Sequence, residues 1–93
     1  MSKAKREKGK CVVTFVCEPD PMVKQVFLVG DFNGWDPLAT RMARRNGEFR
    51  KKMDLASGEH QYKFVVDGKW QTDPAAMAQV PNDMGSMNSM VTV

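Results

Sequence analysis

Histidine, cysteine and tyrosine are scarce in this chain of 93 residues, which has one His, two Cys and one Tyr. His60 alone is a thin basis for a nucleophile–histidine relay. Its place at the start of a predicted strand suits a structural role. Two cysteines and one histidine at these positions lack the paired spacing of zinc ligands, so no metal and no cofactor are expected. Cys11 and Cys17 fall on one predicted strand, roughly 20 Å apart at ~3.3 Å per residue. A disulfide needs Cα atoms within about 7 Å, so both are read as reduced thiols, which favours a cytoplasmic location. No apolar run nears the ~18–20 residues of a membrane span, and the N-terminus lacks the apolar stretch of a signal peptide. No membrane partner is expected. Phosphate-loop chemistry is missing too: Gly68-Lys69 precedes Trp70, not Ser or Thr, and no glycine stands five places ahead of Gly68.

Charge is present but uneven. In residues 1–10, Lys3, Lys5, Arg6, Lys8 and Lys10 face Glu7 alone, a net of +4, which leaves the rest of the chain at −1 in a total of +3. The basic balance therefore belongs to a tail, read as disordered and solvated. A near-neutral body lacks the basic groove of a nucleic-acid binder, so no nucleic-acid partner is expected. Residues 11–93 are read as one domain.

Short strands separated by turn signals dominate that domain. Residues 11–17 are rich in β-branched and aromatic side chains, and Glu18-Pro19-Asp20-Pro21 ends them. Residues 24–30 form a nearly continuous apolar strand. GDFNGWDP, residues 30–37, is a tight loop holding two aromatics, Phe32 and Trp35. One is expected to plug the core and the other to face out. Residues 40–44 and 48–55 flank Asn46-Gly47 as a hairpin at a sheet edge with one wet face. Residues 73–85 read as loop and 87–93 as a last strand. About seven strands without a helix predict an all-β, immunoglobulin-like antiparallel β-sandwich, although the immunoglobulin Cys…Trp…Cys spacing is absent.

The most informative stretch is EHQYKFVVDGKW, residues 59–70. Asp67-Gly68 supplies the two positive φ angles of a type I′ turn. The register then pairs Val66 with Lys69, Val65 with Trp70 and Lys63 with Thr72. Tyr62, Phe64 and Val66 share the core face; Lys63, Val65 and Trp70 share the other. A lone lysine there is ordinarily solvated. An indole left beside it calls for a ligand. Most of the acids sit in turns, and a flat sandwich offers no cleft for the paired carboxylates of a glycosidase, so no catalytic residue is expected. A flat indole suits the C–H face of a pyranose ring.

Three segments carry a resemblance: VFLVGDFNGWDP (26–37), GEHQYKFVVDGKWQTDP (58–74) and NDMGSMNSMVTV (82–93). They closely resemble the family-48 carbohydrate-binding modules, in particular the glycogen-binding domain of the AMP-activated protein kinase β-subunit. The resemblance implies a non-catalytic module for α-1,4-linked glucans such as glycogen or starch. Trp35 and Trp70 match the stacking tryptophans, and Lys63 and Asn88 match residues that hydrogen-bond sugar hydroxyls. Met84 stands for a leucine that reaches into the curved glucan, and Ser86 for a threonine. Met42 replaces a phosphorylated serine, so that control is expected to be absent. Neither a catalytic barrel nor a kinase-assembly region follows Val93, so the module is read as standing alone. The other reading is an interaction or targeting domain that recruits a glycogen-metabolising enzyme or a kinase.

Overall fold

The computed structural model describes residues 10–93. The basic tail expected over residues 1–10 lies outside them but for Lys10, which opens the first strand one residue ahead of the expected boundary. Eight strands follow: β1 (Lys10–Cys17), β2 (Val26–Gly30), β3 (Ala43–Arg45), β4 (Glu48–Ala56), β5 (Glu59–Val66), β6 (Lys69–Gln71), β7 (Ala78–Pro81) and β8 (Met87–Thr92). One sheet has the order β1-β4-β3. The other has β2-β5-β8-β7, with β6 also paired to β5. Every ladder is antiparallel.

Alternation along the strands builds the sandwich. Phe15 and Cys17 from β1 and Phe49 and Leu55 from β4 meet Val26 and Leu28 from β2 and Tyr62, Phe64 and Val66 from β5 in one buried cluster. Tyr62 is at its centre, edge-on to Phe15 at 4.8 Å and to Phe64 at 5.8 Å between ring centroids, the offset geometry aromatic rings prefer. Burying apolar side chains of this kind at ~1.5–3 kcal/mol each supplies a large share of the folding free energy of a domain this small.

The two sheets are joined by a crossover. Thr40 accepts from the Leu28 amide at 2.8 Å and Met42 donates to Val26 at 2.9 Å, so residues 40–42 cover the free edge of β2 before β3 enters the other sheet. Met42 is thereby sealed in the core. The β3–β4 hairpin turns on Asn46 and Gly47, both at positive φ. The sequence suggests a pair at the sheet edge; β3 is an edge, but β4 lies between β1 and β3.

A strand occurs where the sequence reads as loop. Residues 73–85 contain β7, whose Gln79 and Val80 pair with Ser89 and Asn88 of β8. Its Pro81 closes an outermost strand, a position where a missing N–H is tolerated. A buried polar network holds this segment. The Tyr62 hydroxyl donates to Asp73 Oδ2 at 2.7 Å, the Asp73 amide donates to Ser89 Oγ at 2.8 Å, and Gln79 Nε2 donates to the Asp73 carbonyl at 2.7 Å. Burial, followed by the nearby Asp73 and Glu18 carboxylates, pushes the Cys17 thiol up to about 11. Both cysteines are free. Among the described residues no helix is long and apolar enough to cross a membrane.

Candidate functional site

Four local devices converge on the outer face of the five-stranded sheet. The first is the β5–β6 turn. Asp67 and Gly68 have φ of 47° and 85°, and the pairs Val66–Lys69 and Val65–Trp70 form as the turn requires. The ladder ends at Phe64–Gln71, so the expected Lys63–Thr72 pair does not form. The Asp67 carboxylate also accepts from the amides of Lys24 and Gln25, which pins the turn to the segment ahead of β2. Trp70 is left 48 % exposed.

The second device is a split in the sheet. One edge of β5 is shared by two strands: β8 as far as the Tyr62–Ser89 pair and β6 from the Phe64–Gln71 pair. Lys63 stands between those pairs, where the two neighbours part. It is only 8 % exposed, not solvated, and its ammonium donates to Ser86 Oγ at 3.3 Å.

The third device presents Trp35. After β2 a short 3-10 turn (Asp31–Asn33) leads into Gly34 and Trp35, both left-handed at φ 68° and 59°. The Asn33 side chain locks the loop by accepting from the Gly30 amide and donating to the Leu28 carbonyl and Thr40 Oγ1, at 2.9–3.0 Å. Trp35 donates its own amide to the Gly30 carbonyl at 2.9 Å. Left-handed backbone costs a side chain such as Trp about 1–2 kcal/mol, and strain of this kind gathers at functional positions. Of the two loop aromatics, Phe32 is the one that packs on the core, 5.6 Å from Phe15; Trp35 is half-buried.

The fourth device is the β7–β8 loop, organised by a residue that the sequence reading passed over. Asn82 Oδ1 accepts from the amides of Met84 and Ser86 at 2.9 and 3.1 Å, and its Nδ2 donates to Ser86 Oγ and Asn88 Oδ1, each at 2.9 Å. An Asn side chain that accepts from the amide two places on makes an Asx-turn, and Asn82 does this to Met84, just ahead of the left-handed Gly85. The loop raises Met84 to 88 % exposure. Asn88 Nδ2 in turn donates to Gln61 Oε1 at 3.0 Å, so this amide is held in a network, not loose.

These devices enclose a groove of about 660 Å³. Trp35, Lys63, Trp70, Met84, Ser86 and Asn88 all line it, joined by Asn82 and Asp83. One ammonium, one carboxylate, hydroxyl and amide groups thus stand among two indoles and a thioether. Among the described residues, Asp83 supplies the only carboxylate on the lining. No cluster of His, Cys, Asp and Glu that could hold a metal ion occurs among the described residues. His60 is engaged structurally: its ring nitrogens lie 2.9 Å from Asp31 Oδ1 and 2.7 Å from the Ala56 carbonyl. The Ala56 carbonyl first, and Asp31 second, hold its pKa above the usual 6.5.

Comparison with known proteins adds sequence and fold relatives. The family model described as the glycogen recognition site of AMP-activated protein kinase matches residues 19–93. The 5′-AMP-activated protein kinase subunit β-1 of Sus scrofa is 41 % identical over 70 residues, which cover 75 % of this chain and 55 % of that one. Its Homo sapiens counterpart is equally identical over the same share of this chain and 25 % of its own length. Subunit β-2 of Mus musculus is 40 % identical over 70 residues and again 25 % covered. This chain therefore spans between a quarter and about half of these relatives. A solved structure, the maltogenic amylase from S. marinus, superposes with a TM-score of 0.70 over 88 % of this chain and 13 % of that one; at 17 % identity the likeness is one of fold.

Proposed function

This chain belongs to the family of glycogen recognition sites of AMP-activated protein kinase, and on that premise we propose that its sandwich, residues 11–93, is a non-catalytic module for α-1,4-linked glucan. The reading is carried by two partly exposed indoles, Trp35 and Trp70, sharing one groove with a polar rim. A pyranose presents C–H groups on its faces and hydroxyls around its edge. The indoles cover the faces; the Lys63 ammonium, the Ser86 hydroxyl and the second N–H of Asn88 Nδ2 take the edge. Met84, long and apolar, fills the concave side of a curved chain. Two indoles on separate elements, Trp35 on the loop after β2 and Trp70 on β6, suit a curved α-glucan better than a flat β-linked one.

Magnitudes fit a module that works by repetition. An indole removing roughly 50 Å² of apolar sugar surface from water contributes about 1 kcal/mol at ~25 cal/mol per Å². Two or three hydrogen bonds add ~0.5–1.5 kcal/mol each. Short sugars should bind at roughly tens of μM to mM, and a polymer that engages many copies should be held far more tightly. Glycoside hydrolysis calls for two carboxylates flanking the bond, and the groove has Asp83 alone.

The relatives are named as subunits of a kinase. That favours a joint reading in which the module carries a kinase or a glycogen-metabolising enzyme to glycogen, in a cytoplasmic setting. Cosedimentation with glycogen tests the core of the proposal. Wild-type protein should pellet and be released by β-cyclodextrin, and Trp70→Ala should stay in the supernatant. Equal pelleting of the two would overturn it.

A further inference from the structure

A second groove, of about 760 Å³, adjoins the first. Lys63, Trp70 and Ser86 line both, so the two meet where β6 and β8 part from β5. Gln71, Thr72, Pro74, Gln79 and Met87 complete the new one. Its volume lies within the ~300–1,000 Å³ usual for small-molecule sites.

Its walls are preformed. Asp73, between Thr72 and Pro74, is buried and tied to Tyr62, Ser89 and the Ala75 amide. Gln79 is fixed at both ends of its amide, by the Asp73 carbonyl and by the Ser89 hydroxyl. Gln71 and Thr72 also line the groove, and neither side chain makes a hydrogen bond among the described residues. The chemistry repeats that of the first groove: apolar Trp70, Pro74 and Met87 alternate with hydroxyl and amide groups, and Lys63 is the sole charge. A lining without carboxylates, and with one shared cation, suits a neutral polyhydroxylated ligand better than an anion.

We infer that the two grooves form one continuous site, and that the second takes further glucose units of the same α-glucan chain after it has crossed Trp70. The inference rests on the reading given under Proposed function and adds a length requirement to it. Chains that end within the first groove gain nothing from Gln71, Thr72 or Met87; longer ones do.

The test is a pair of titrations, maltotriose and maltodecaose, on wild type and on the double variant Gln71→Ala/Met87→Ala. Both positions are exposed, so the fold should persist. Maltotriose should bind the two proteins alike. Maltodecaose should bind the variant roughly threefold more weakly, about the worth of one neutral hydrogen bond. In wild type the Gln71 and Thr72 amide resonances should shift with maltodecaose and stay in place with maltotriose. If wild type and variant gain equally from the longer sugar, the second groove is empty in the complex and the inference falls while the first site stands. If wild type binds neither sugar, both fall; Trp35→Ala, which should weaken both sugars alike, reports on the first groove alone.

Discussion

Substituting Trp35 by glycine and by alanine should give proteins that differ in stability and agree in binding. Trp35 sits at φ 59°, with its amide donated to the Gly30 carbonyl. Glycine adopts that conformation freely; alanine pays the same steric penalty as tryptophan, about 1–2 kcal/mol. Against this, glycine loses about 0.5–1 kcal/mol more chain entropy on folding. The balance favours Trp35→Gly over Trp35→Ala by about 0.5–1 kcal/mol, which for a domain of this size is a Tm difference of roughly 2–8 °C. Both variants remove the same half-buried indole, so its packing cancels in the comparison. Glucan affinity should fall by the stacking contribution, about 1 kcal/mol or roughly fivefold, in both. Urea unfolding with matched slopes measures the first quantity, and fluorescence titration of the remaining Trp70 measures the second. Alanine equal to glycine in stability would show that the loop relaxes and that no strain is held at Trp35. Undiminished affinity would remove this indole from the site.

Three further outcomes follow from the same geometry. A methyl group on Gly30 would stand 2.6 Å from the Phe32 ring and 2.7 Å from the Gln61 carbonyl oxygen, so Gly30→Ala should destabilise by about 1–3 kcal/mol through overpacking, read as a lower urea midpoint. Lys63→Met keeps the buried stem and removes a desolvated ammonium whose one hydrogen-bond partner among the described residues is the Ser86 hydroxyl; unfolding should show stability kept or raised while glycogen pelleting is lost. His60 has its pKa raised in the fold by the Ala56 carbonyl and by Asp31. Its contribution is therefore complete below the usual 6.5 and is lost as pH climbs through the higher folded value. Urea midpoints should decline from pH 6 to pH 8, and His60→Gln should flatten that decline.

Some of this architecture could be read from local chemistry, and some could not. Asp67-Gly68 dictates its own dihedrals, so the register of β5 and β6 and the placement of Trp70 on the outer face follow from a dipeptide. The core faces follow from period-two alternation around Tyr62 and Phe64. β7 escapes such a reading because Ala78, Gln79 and Pro81 have little strand preference; pairing with β8 and the Asp73 network hold it in place. The burial of Lys63 is equally invisible, since it depends on where β6 and β8 separate and on a loop twenty residues further on. Asn82 has a turn signal but no signal for Ser86 or Asn88, which it reaches only after the chain has doubled back.

The break between β6 and β8 has a consequence for how such a surface can change over time. The recess arises from a gap in a ladder and from loop tips, so it takes no volume from the hydrophobic interior. A residue such as Met84, 88 % exposed at a loop tip, can then be exchanged with little effect on foldability, and selection can retune what the recess prefers and thermostability as nearly independent traits.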